Sequence, residues 1–252
     1  MTRTTKVLQN WVGRPHLRLL LAAPLLVAGV SGCASSRYVG ALSGGASYVN
    51  RGYGVVLPFS AISARWWIFD PEHPDKGPAA LAPERKEDRI DIDGDGMLRL
   101  DELTARYEPA LRLLSRTSTA PVRIELQVEI LSEPGASEVS HRGLFDSEVR
   151  SRAGTPQAMQ IAISRAEKRV VSMDRQAWVT SIVGTKGGGA ERLALVDQPD
   201  LSAEEDITRR QVVWLRLIGP TLRPQDVKDF DTLLSSLLAA REVGALTRHE
   251  RW

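Results

Sequence analysis

The chain has 252 residues, a hydrophobic fraction of 42%, a charged fraction of 25% and a formal net charge of +2. These values are ordinary for a globular protein long enough to bury a full core, and they exclude a disordered or low-complexity chain. The positive balance sits at the front. Arg3, Lys6, Arg14 and Arg18 fall within the first 32 positions, where there is no acid, and their removal takes the net charge to about −2. The remainder therefore gives no electrostatic case for nucleic-acid binding.

After that basic region, Leu19 to Val30 is an uncharged apolar run. It is too short to span a bilayer comfortably and has the size of a signal-peptide hydrophobic segment. It ends in Val30-Ser31-Gly32-Cys33. This tetrapeptide resembles the lipobox of bacterial lipoproteins. The resemblance implies a signal peptide over 1–32, a diacylglyceryl group on the Cys33 thiol, and anchorage in the cell envelope. Ala34 in the next position implies the outer membrane, facing the periplasm. A non-lipidated secretory signal, or a free cysteine in a membrane anchor, is the plainer alternative. Cys33 is the only cysteine, which excludes a disulfide framework and a thiolate zinc site.

Residues 33–45 read as a lipidated cysteine and a tether, and 46–252 as one domain. Ser47 to Phe59 predicts a strand bent at Gly52 and Gly54, and Ala64 to Asp70 predicts a second. Alternation puts Trp66 and Trp67 on opposite faces, one in the core and the other over a helix or groove. Pro71 to Pro83 is a proline-rich linker.

The most informative stretch follows it: Asp91-Ile-Asp93-Gly-Asp95-Gly96-Met97-Leu98-Arg99-Leu-Asp101-Glu102. Carboxylates stand at positions 1, 3, 5 and 12, glycine at 6 and an aliphatic residue at 8. Calcium (Ca2+) is a hard cation that takes six to eight oxygens. Asp91, Asp93 and Asp95 each offer one carboxylate oxygen, Met97 its backbone carbonyl, and Glu102 both of its oxygens. Gly96 stands where the loop turns sharply, and Leu98 anchors it. Asp-Gly pairs also occur in ordinary acidic turns, but a turn does not require Leu98 and Glu102. The stretch resembles a single EF-hand, or the loop-plus-exiting-helix half of dockerin-type modules. Position 9, often a water-mediated ligand, is Arg99, which cannot coordinate. Pro83 to Ile90 reads as a poor entering helix without an apolar stripe. Leu100, Leu103, Tyr107, Leu111 and Leu114 read as an amphipathic exiting helix, kinked at Pro109. The calcium segment, about 71–118, is then an excursion between sheet elements.

Val122 to Ile130 alternates apolar and polar residues and predicts a strand. A polar stretch over 133–154 precedes a helix opened by Thr155-Pro156, with Met159, Ala162, Ala166, Val170 and Met173 on one face. Trp178–Val183 and Arg192–Val196 flank Gly187-Gly188-Gly189 as a hairpin. The glycines lack the following Lys-Ser/Thr of a phosphate loop. Gln211–Ile218 is another strand, and Pro224 opens a last helix carrying Val227, Phe230, Leu234 and Leu237, stopped by Gly244. Asp226 and Asp229 read as first-turn charges favoured by the helix dipole. Arg112, Arg116 and Arg123 read as a solvated face.

These elements predict an α+β fold, a mostly antiparallel sheet with packing helices, one EF-hand excursion and an N-terminal signal peptide. The order of Tyr53-Gly-Val-Val-Leu-Pro58, the aromatic strand after it and the closing Asp229-Phe-Asp-Thr-Leu-Leu segment resembles PsbP/Mog1-type domains, and no functional residue is carried over from them. No catalytic constellation is legible: there is no Gly-x-Ser-x-Gly at strand–helix spacing and no His-Glu-x-x-His. His73 lies between prolines, His141 in a polar stretch, and His16 and His249 near the ends. The sequence thus points to a calcium-binding envelope lipoprotein acting through binding or assembly, with the membrane and an envelope protein as partners and no small-molecule ligand specified. The alternative is an envelope enzyme with a dispersed site, in which Ca2+ is only stabilising.

Overall fold

A computed structural model describes residues 39–89, 103–117, 120–131, 140–154, 161–172, 175–198 and 210–239. In chain order the elements begin with β1 (Ala41–Ser43), β2 (Ser47–Asn50), β3 (Val55–Pro58), β4 (Trp66–Ile68), β5 (Glu84–Arg89), β6 (Leu103–Glu108), β7 (Leu111–Ser115) and β8 (Arg123–Leu131). They continue with α1 (His141–Arg152), β9 (Ala162–Ile163), β10 (Glu167–Val170), β11 (Gln176–Val183), β12 (Ala190–Gln198), β13 (Arg210–Gly219), α2 (Pro224–Ser236) and β14 (Leu238–Ala239).

The large sheet runs in the order β10-β11-β12-β13-β8-β7-β4, with β9 also on β11. A small sheet runs β1-β2-β3-β14, and β5 pairs with β6 alone. Every pairing is antiparallel. The architecture is α+β with a mostly antiparallel sheet.

Both faces of the large sheet are covered, which the β13 sequence makes intelligible. Gln211-Val-Val-Trp-Leu215 is buried without a break, as befits a strand packed on two sides. Val213, Leu215 and Leu217 join Ile124, Leu126, Val179, Ala194 and Val196 on one face. There they meet Phe230, Leu233 and Leu234 of α2 and Tyr48, Val55 and Leu57 of the small sheet. Val212 and Trp214 face the other way, with Ile182, Leu193 and Leu195, against Phe145 and Val149 of α1. The Phe145 and Trp214 rings stack with centroids 6.5 Å apart.

Several expected elements differ. The helices expected on either side of the calcium loop are strands, β5 before it and β6 and β7 after it. The reason lies in the spacing: residues four apart share a face in a strand as well as in a helix, so Tyr107 and Leu111 fit both. Leu113, fully buried, fits only the period-two reading. The excursion therefore narrows to the β5–β6 pair, because β7 belongs to the large sheet. The helix expected after Thr155-Pro156 is also absent from 162–170, where β9 and β10 form the sheet edge. Residues 155–160 and 173–174 lie outside the described residues.

The helix lies earlier, in the stretch read as polar loop. Ser140 caps α1, its hydroxyl accepting from the Gly143 N–H at 3.0 Å, and Arg142–Asp146 and Glu148–Arg152 are i,i+4 ion pairs. Residues 41–45, read as tether, form β1 and the turn into β2, with Leu42 packed on the core. The final helix ends at Ser236, well before Gly244, because Leu237 is extended and leads into β14, which pairs with β3.

Candidate functional site

The calcium-loop residues Asp91, Asp93, Asp95, Met97 and Glu102, and the lipobox residue Cys33, lie outside the described residues. The structure does describe what carries the loop. β5 and β6 form an isolated ladder from Glu84↔Glu108 to Arg89↔Leu103. The last pair holds the backbones on either side of 90–102 at cross-strand distance, about 5 Å between Cα atoms.

The other end of the ladder is fixed in the core. Tyr107, 8% exposed, meets Phe69 edge-on with ring centroids 4.8 Å apart. Leu81 is buried just before β5, and Arg112 Nη1 donates to the Ala82 carbonyl at 3.0 Å. Outside this root the ladder is charged. Lys86 Nζ reaches Glu108 Oε2 at 2.5 Å, and this hydrogen bond, then the charge of Glu108, raises the Lys86 ammonium above its ordinary pKa. The result is a two-stranded ribbon whose described root is buried.

A second group of metal-capable atoms lies in the turn after β4, where ligand atoms of Asp70, Glu72 and His73 come within 4.8 Å of one another. Asp70 is already engaged on both oxygens, accepting from the Glu72 N–H at 3.0 Å and lying 2.8 Å from His73 Nδ1. The cluster closes a turn and is largely exposed.

The acids read as simple first-turn charges prove to be buried. Asp226 is inaccessible and Asp229 4% exposed. Asp226 accepts from Arg223 Nε at 2.8 Å and Arg65 Nη2 at 3.1 Å, and reaches back to the Arg223 N–H at 3.3 Å. Asp229 accepts from Trp66 Nε1 at 2.8 Å, pairs with Arg65 Nη1 at 2.9 Å, and accepts from Gln225 Nε2 at 2.9 Å. With every carboxylate oxygen engaged by cations or N–H groups, this is a clamp between α2 and β4.

The arginines read as a solvated face are likewise organised. Glu125, 4% exposed, is shared by Arg112 Nε at 3.0 Å, Arg123 Nε at 2.9 Å and Arg216 Nη1 at 3.4 Å. Arg216 continues to Glu191 at 2.8 Å, and Glu191 to Arg152 of α1 at 3.4 Å. The row crosses the sheet strand by strand. The signal for it was present as the polar half of the β8 alternation, but its partners lie on strands far apart in the chain.

His73 is solvent-facing beside Asp70, His141 is the first residue of α1, and His16 and His249 lie outside the described residues. None of the described helices is long and apolar enough to cross a membrane. No family model, curated protein or solved structure matches the chain.

Proposed function

We propose that the chain is a calcium-binding lipoprotein of the bacterial cell envelope, anchored through Cys33 and acting through binding or assembly. Ca2+ serves it as a structural or sensing ion held by Asp91, Asp93, Asp95, the Met97 carbonyl and Glu102. The observation that carries this reading is the register of oxygen donors, glycine and aliphatic residue across 91–102. The β5–β6 ladder supports it. An EF-hand loop needs its first and twelfth positions to converge on one ion, and the described pair nearest to them in the chain, Arg89↔Leu103, is compatible with that requirement. The lipobox and the lone cysteine support the anchor. Titration calorimetry on the full chain in detergent, before and after Glu102→Gln, tests the metal assignment. Equal Ca2+ binding by the two proteins removes it.

A further inference from the structure

The aromatic pair of β4 divides its indoles between the two faces of the sheet, and the core absorbs only one. Trp66 is fully buried, whereas Trp67 keeps 42% of its surface exposed. Register extends the outer row from Trp67 to Leu114 on β7 and from Leu114 to Arg123 on β8. Arg116 lies over Trp67, its Cζ 4.2 Å from the ring centre, and donates from Nε to the Trp66 carbonyl at 3.1 Å. Arg123, 38% exposed, is held through Nε by Glu125. That carboxylate is shared with Arg112 and Arg216, and Arg116 has no carboxylate partner among the described residues. This corner therefore has an excess of positive charge and two guanidiniums positioned through Nε whose terminal nitrogens have no hydrogen-bond partner among the described residues, with the exposed indole beneath Arg116 and Leu114 between that indole and Arg123.

We propose that this corner binds an acidic glycan, a sugar chain bearing carboxylates. Arg116 and Arg123 take the carboxylates and the exposed part of Trp67 packs on a sugar ring. A planar guanidinium matches a carboxylate with two parallel N–H donors. Contact with the indole and the bond from Nε to the Trp66 carbonyl hold Arg116 in place before the ligand arrives, and indole supplies an apolar body beside polar groups. An acidic peptide added as a strand fits less well. β4 is three residues long, so its outer edge offers few main-chain hydrogen bonds, which are the source of affinity in strand addition. The proposal uses no calcium ligand and stands apart from the calcium reading.

The test is titration of the full chain in detergent with oligogalacturonate, with EDTA throughout so that calcium binding plays no part. Neutral dextran and polyglutamate are the comparison probes, and calorimetry and tryptophan fluorescence the readouts. Saturable binding is expected, weakening as salt is raised. Arg116→Ala and Arg123→Gln should each lower affinity roughly tenfold or more. Arg116→Lys should behave like Arg116→Ala, because an ammonium cannot present the planar fork. If Arg123→Gln lowers the melting temperature, the fully folded Arg116→Lys variant decides. No binding, unchanged affinity in Arg116→Lys, or equal binding of dextran or polyglutamate overturns the proposal.

Discussion

Trp66 and Asp229 lie 163 positions apart in the chain, yet the indole N–H of one donates to the carboxylate of the other at 2.8 Å. Asp229 also balances Arg65, so one side chain joins the start of β4 to the middle of α2. Removing the carboxylate leaves the buried indole N–H without its acceptor and Arg65 with Asp226 alone. Asp229→Ala should therefore cost about 3 kcal/mol, the upper end for hydrogen bonds to a charged group. Trp66→Phe, which removes a hydrogen bond to a charged acceptor but keeps most of the packing, should cost about 1.5–3 kcal/mol. Urea unfolding of both variants measures the difference, and equal stabilities would show that the clamp contributes nothing beyond packing.

Calcium should bind in a way that leaves helix content unchanged, because strands flank the loop. Affinity is expected at roughly 10⁻⁴–10⁻³ M, the range of extracellular modules, and Mg2+ should compete poorly because it gives up water reluctantly. If Ca2+ binds only the folded chain, a hundredfold excess over Kd should add about 2.7 kcal/mol. Asp101→Asn should matter little. A rise in far-ultraviolet helical signal on adding Ca2+ would refute the hairpin setting of the loop, and binding without a rise in melting temperature would refute only the structural role.

Lipidation has a simple check. Cys33→Ser should block processing and release or mislocalise the protein. A variant that matures to the wild-type mass and still fractionates with membranes would remove the anchor from the proposed function.

Tyr48 gives the fold an alkaline limit. Its ring is fully buried, its hydroxyl donates to the Ala110 carbonyl at 3.2 Å and accepts from Asn50 Nδ2 at 2.9 Å. Burial, the largest effect, raises the phenol well above its ordinary value of 10.0, against a smaller lowering by Asn50. A raised native pKa means that the unfolded chain loses this proton first. The contribution is then fully present below about pH 10 and is lost as pH climbs towards the native pKa. Tyr48→Phe should be less stable at pH 7, with the Asn50 amide and Ala110 carbonyl each losing a partner, but should lose less stability above pH 10. Parallel slopes for the two proteins in that range would contradict the assignment.

The glycine run between β11 and β12 is uneven in what it demands. At Gly189, φ is +93° and an added Cβ would lie 2.5 Å from the Gly219 carbonyl oxygen. Gly187 has open space around its Cβ position and an ordinary φ. Gly189→Ala should cost about 1–3 kcal/mol through backbone strain alone, and Gly187→Ala should be neutral or stabilising by about 0.4–1 kcal/mol. Thermal melts of the two variants check this directly.

What the sequence made legible follows from how local the signal was. β8, β13, the β11–β12 hairpin and the start of α2 announce themselves through alternation, glycine placement and Pro224, and the two indoles of β4 divide between faces as alternation requires. The calcium flanks misled because i,i+4 spacing is common to both regular structures. α1 was hidden by Gly143 and a thin apolar stripe, although Ser140 and its two ion pairs were there to be read. The Arg65–Asp226–Asp229 clamp and the sharing of Glu125 had no local signal, since their members come together only through tertiary pairing.

The pairing of β14 with β3 has a kinetic meaning. The small sheet is completed by residues 238–239, the last described residues of the chain, laid against residues 55–56. The 163-residue link from Trp66 is made by the helix immediately before them. Contacts this distant in sequence carry a large loop-closure cost and form late. A chain still emerging from a ribosome has β2 and β3 but not the strand that completes their sheet, and so stays pliable until β14 arrives. Delayed closure of this kind makes α2 and β14 the elements on which cooperativity depends, and a chain ending at residue 222 should unfold in urea without a sharp transition.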